Sequence, residues 1–233
     1  MALVAVGLGA GAQAVTGIGF ALVCAPFLVL ALGGDDGVRL SNLFGIAVNL
    51  LMLGAGGWKS ISWRVLPALV VPGILVVPLA AWLISGDSPQ TLSLITAILV
   101  LAAVVALTRG LRIKALRGRA GATVASVLSG SMNAIGGVAG PPIAAFAANL
   151  DWTPNVQRGT LAAYFLAVNA AAVLARGVPR LPTTIFVEGV SMVALGFGGG
   201  VVAARFLKYG TVRGVTLALA GGGALASIAV ALR

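Results

Sequence analysis

Residues 92–107 read Leu-Ser-Leu-Ile-Thr-Ala-Ile-Leu-Val-Leu-Ala-Ala-Val-Val-Ala-Leu, without a charge. With its flanks the run reaches the roughly 20 apolar residues that a helix needs to cross a bilayer. Lipid admits only structures that pair every backbone polar group internally, which leaves helices and closed barrels. Barrel strands alternate apolar and polar residues. This run does not alternate, so it predicts a membrane helix. Outward from it, seven further apolar segments follow: 2–32, 38–54, 65–84, 120–150, 159–175, 183–206 and 211–232, with this one at 89–108.

Composition points the same way. Apolar residues make up 60% of the chain and charged residues only 9%, against about 25% charged in soluble domains. The net charge of +10 is scattered over short connections. That is the pattern of cytoplasmic loops rather than of a nucleic-acid surface. There is no histidine, and Cys24 is the lone cysteine. Neither a disulfide nor a transition-metal site is expected, and no cofactor. The apolar N-terminus lacks a basic lead and runs straight on, so it reads as membrane segment rather than a cleaved signal.

The chain reads as two homologous halves of four segments, 1–108 and 120–233, joined by a basic cytoplasmic connection at 109–119. A shift of 120 places Gly17 on Gly137, and Ala47-Val48-Asn49 on Ala167-Val168-Asn169. A shift of 119 places Arg39 on Arg158. The first segment of each half is about 31 residues long and is interrupted. The breaks are Thr16-Gly17-Ile18-Gly19, with Pro26 beyond, and Gly136-Gly137-Val138-Ala139-Gly140-Pro141-Pro142. Glycine weakens a helix, and proline removes a donor and clashes with the preceding turn. Paired interruptions in two repeats are a sequence pointer to a transporter binding site. Gly196 and Gly200, and the run Gly221 to Gly223, lack such prolines and read as close helix packing.

Two topologies fit. Broken helices that cross divide the basic residues ten against five; re-entrant hairpins divide them eleven against four. The hairpin arrangement makes the halves inverted, which suits alternating access, and is the expectation adopted.

The residues at the breaks suit an anion. A broken helix exposes backbone N–H groups at the start of its second half, and its dipole favours negative charge there. Gln13, Thr16, Gly17 and Gly19 at the first break, and Ser131, Asn133, Gly136, Gly137 and Gly140 at the second, are the candidate substrate contacts. Asn49 and Asn169 either join them or bond between helices. Arg39 and Arg158 either meet an oxyanion or snorkel to the interface. Glu188 is the candidate for proton coupling, or else an interfacial carboxylate.

Residues 11–20 with Pro26, and residues 130–142 with Arg158, resemble the two signatures of the sulfite exporter TauE/SafE family. The resemblance covers nearly the whole chain, and Ala139 stands where glycine is common. It implies a permease that moves sulfite, sulfonates or related sulfur-containing anions, often outward, in a bacterial inner membrane. The expected partners are a small anionic solute, lipid, protons if transport is coupled, and further copies of the chain if it oligomerises. A passive small-anion channel is the alternative. An enzyme is not expected, because no histidine, cysteine partner or paired acids converge.

Overall fold

The computed structural model describes residues 1–109, 118–150, 152–206 and 209–231. The expected basic connection therefore lies mostly outside the described residues, as do Asp151 and Lys208. Among the described residues the secondary structure is all helical. The helices are α1 (Ala2–Thr16), α2 (Phe20–Leu32), α3 (Gly34–Gly54), α4 (Leu66–Leu83), α5 (Pro89–Thr108), α6 (Gly118–Gly136), α7 (Gly140–Ala147), α8 (Pro154–Arg176), α9 (Thr183–Ala203) and α10 (Tyr209–Ala231). A 3-10 turn, Gly57–Ser60, follows α3. The two long segments are thus each two helices. Six helices (α3, α4, α5, α8, α9 and α10) are long and apolar enough to cross a membrane. Their outward faces carry exposed apolar side chains such as Leu75, Leu174 and Leu195, as contact with lipid requires.

Two helices start a turn or more earlier than their apolar runs. α3 begins at Gly34 rather than 38, because Asp35 and Asp36 suit the positive end of a helix dipole. α8 begins at Pro154 rather than 159. Thr153 caps it by accepting from the Val156 N–H at 3.4 Å, and proline at the first helical position loses no needed donor.

The helices pack crosswise between the halves. α1 lies on α9, α6 on α4, α3 on α8, and α5 on α10. Small residues set the first two contacts. A methyl group built on Gly196 would collide with the Gly7 carbonyl oxygen, and one on Gly200 with that of Gly11. One on Gly130 would collide with the Gly73 carbonyl. Gly196 and Gly200 therefore serve close packing, as their sequence context suggests. Gly198, on the same helix, has open space. Gly196→Leu is accordingly expected to cost about 1–3 kcal/mol through overpacking, whereas Gly198→Ala should be neutral or slightly stabilising. Thermal unfolding of the detergent-solubilised protein checks both, and equal melting of the two variants would contradict the packing argument.

Candidate functional site: a cavity between the two helix breaks

Each break is a left-handed glycine that ends one helix. Gly17 (φ 76°) ends α1 and donates its N–H to the Gln13 carbonyl at 2.7 Å. Gly137 (φ 67°) follows α6 and donates to the Asn133 carbonyl at 2.9 Å. Only glycine adopts this conformation routinely. Gln13 and Asn133 are themselves 120 residues apart, so the two breaks close in the same way at matching positions. Thr16 steadies the first: its hydroxyl donates to the Ala12 carbonyl (2.8 Å) and accepts from the Ile18 N–H (3.2 Å). Ser129 steadies the second by donating to the Ala139 carbonyl at 2.5 Å. Beyond the first break, Phe20 lies back against Gly9, where a Cβ would sit 2.8 Å from the Phe20 carbonyl oxygen.

Gln13 ties three elements together. Its Nε2 donates to Asn49 Oδ1 on α3 at 2.8 Å. Its Oε1 accepts the Phe20 N–H, at the start of α2, at 3.3 Å. Asn49 also donates to the Gly45 carbonyl at 2.6 Å. On the other side, Asn133 Nδ2 donates to the Val168 carbonyl at 3.3 Å. That bond orients the amide and leaves Asn133 Oδ1, fully buried, without a partner. Asn169 lies against Gly45, whose missing side chain makes room for it.

These groups line one small pocket. Of the residues predicted from sequence, Gln13, Gly19, Asn49, Asn133, Gly137, Gly140 and Asn169 line it. Gly19, Phe20, Ala21 and Leu22 bring the N-terminal turn of α2 to its wall, and Ala139 and Gly140 bring that of α7. Two helix N-termini thus meet one space.

The other predicted residues lie elsewhere. Thr16 and Gly17 shape the first break without lining the cavity, and Ser131 is only half-buried. Gly136 packs on Thr96 and Leu99 of α5. Glu188 is on the exposed face of α9. Arg158 donates to the Val15 carbonyl at the end of α1 and packs over Gly17. Arg39 pairs with Asp35 at 2.6 Å.

Besides the apolar lining, sequence reasoning missed three residues with a polar or space-making role. Ser41 and Gly45 line the cavity with Asn49. Their i, i+4, i+8 spacing puts them on one face of α3, a signal that Asn49 alone could have revealed. Arg176 is the third. It donates to the Ala134 carbonyl near the end of α6 and also pairs with Asp35. The C-terminal carbonyls of α1 and α6, each the negative end of a helix dipole, thus both receive a guanidinium from α8.

The architecture defines a multi-pass helical membrane protein with a pocket of mixed polar and apolar lining and no charged side chain in its wall. The family model "Sulfite exporter TauE/SafE" matches residues 2–232. The chain belongs to this family, as the two break motifs suggest, and it is a membrane transporter. No curated protein and no solved structure matches it.

Proposed function

We propose that this chain is a secondary transporter, working outward across a bacterial inner membrane, for a small sulfur-containing anion such as sulfite or an organosulfonate. The anion binds between the two breaks. One observation carries the reading: the N-terminal turns of α2 and α7, one from each break, line a single cavity. Helix N-termini present N–H groups and a positive dipole end to an anion; here the Phe20 N–H already goes to Gln13 and Pro141 and Pro142 carry none. Gln13, Asn49, Asn133, Asn169 and Ser41 supply further hydrogen bonds. Thr16, Gly17, Ser131 and Gly136 support the breaks, and Arg39 and Arg158 act at the cavity's margins.

The halves are read as inverted repeats whose first segments are hairpins. Three observations support this. Phe20 returns along α1, six helices remain as candidate crossings, and the packing of α1 on α9 is mirrored by that of α6 on α4. Exchange between the two halves' conformations would open the cavity to each side in turn.

Uptake into proteoliposomes tests the proposal, with sulfite, sulfate, thiosulfate, taurine and sulfoacetate, each with and without a pH gradient. Counterflow of sulfite against its gradient is the expected result. Downhill movement alone would indicate a channel. No movement of any of the five would end the proposal.

A further inference from the structure

The cavity wall mixes apolar and polar side chains and contains no charged one, and this bears on which form of the anion it accepts. Its polar side chains are Gln13, Ser41, Asn49, Asn133 and Asn169, all neutral. Positive potential comes from the N-termini of α2 and α7, less than a full unit charge because Pro141 and Pro142 carry no N–H and the Phe20 N–H is taken by Gln13. The nearby guanidinium groups keep their charge but are directed to partners outside the cavity. Arg158 is held by the Val15 carbonyl, Arg176 by the Ala134 carbonyl and Asp35, and Arg39 by Asp35. No guanidinium lines the cavity, so a second negative charge would be buried there without a cation in contact, which is unfavourable in a low-dielectric interior.

Asn133 adds an independent requirement. It is 1% exposed and lines the cavity. Its Nδ2 is engaged by Val168, so the group left unpaired is the acceptor Oδ1. A buried acceptor without a donor is costly. A fully deprotonated oxyanion has only acceptors and cannot satisfy it. An oxyanion that keeps one proton can.

We infer that the site takes a monoanion that itself donates a hydrogen bond, a singly protonated oxyanion such as hydrogensulfite, and rejects the dianion. This rests on the proposed function and narrows its substrate. The proton travels on the solute, so each anion moved carries one proton with it and no carboxylate in the cavity is needed. The titratable and charged groups on the elements that form the cavity are Cys24 on α2, Asp35, Asp36 and Arg39 on α3, Arg119 on α6, and Arg158, Tyr164 and Arg176 on α8. None lines the cavity. Glu188 stands apart on α9.

Equilibrium binding to the purified full chain tests this with three probes, across the pH range in which sulfite takes up its second proton. Sulfite changes charge over that range. Sulfate stays a dianion, and methanesulfonate is a monoanion of similar size with no acidic proton. Affinity for total sulfite should fall about tenfold per pH unit on the alkaline side and level off on the acid side. Methanesulfonate should bind several-fold more weakly than hydrogensulfite, with no pH dependence, and sulfate should not bind. The sulfite slope should persist in Glu188→Gln. Asn133→Leu should erase the preference for hydrogensulfite over methanesulfonate; if that variant does not fold, the wild-type series decides. A flat sulfite profile, sulfate binding as tight as sulfite, or loss of the slope in Glu188→Gln would each overturn the inference while leaving anion transport intact. If none of the three probes binds while one of the five transport solutes moves, this inference alone falls; if nothing binds and nothing moves, the proposed function falls with it.

Discussion

Gln13→Leu is expected to lower sulfite transport about 100-fold. Leucine leaves two buried groups unpaired, Asn49 Oδ1 on α3 and the Phe20 N–H that opens α2. Each unmet partner costs about 1–3 kcal/mol, and a combined loss near 3 kcal/mol corresponds to roughly two decades. The loss falls on the site because both orphans belong to its wall. Asn49 would turn toward any available donor, and the first turn of α2 would lose the bond that fixes it against α1. Initial rates in proteoliposomes, at matched protein content, measure the effect. A Gln13→Leu protein transporting within about threefold of wild type would show that this network is dispensable.

Arg176→Met should be the most destabilising of the arginine replacements, by about 2–4 kcal/mol. The Arg176 side chain is 7% exposed and serves two acceptors, the Ala134 carbonyl and Asp35. Methionine fills similar volume but satisfies neither. Asp35 is 39% exposed and keeps Arg39, so the lower half of that range applies. For a chain of this size each kcal/mol lowers the melting temperature by about 2–4 °C. A fall of roughly 5–10 °C is expected in detergent. Arg39→Met removes a partly exposed pair within one helix and should cost no more than about 1 kcal/mol. If Arg39→Met proved the more damaging, the role assigned to Arg176 would be wrong.

The arginines show where sequence reading reaches its limit. The shift of 119 pairs Arg39 with Arg158, which predicts matching roles. Arg158 does meet the first break. At the second, the equivalent task falls to Arg176, while Arg39 turns to Asp35 one helical turn away. A nearby counter-charge decided the difference, and an offset between repeats carries no information about it. Glu188 is a similar case. Its segment is apolar enough to make a carboxylate conspicuous, but only packing determines whether it faces the bundle or stands outside. Ser131 and Asn133 are two residues apart on α6. Helical rotation sends Asn133 to the cavity and Ser131 away from it.

Much was legible beforehand because it rests on local chemistry. Run length and the absence of charge specify membrane helices wherever the chain folds. Gly17 and Gly137 mark the ends of α1 and α6 because few other residues adopt their left-handed backbone. The family motifs lie on those same breaks. From sequence alone came the helical membrane class, the sites of interruption and the expectation of an anion at each. Tertiary structure decided that the two breaks line one cavity, that Ser41 and Gly45 join it, and that every nearby guanidinium is held by a carbonyl or a carboxylate. The reason is physical. A helix break depends on the torsions of a few adjacent residues, whereas the charge of a cavity depends on which distant side chains packing brings to its wall.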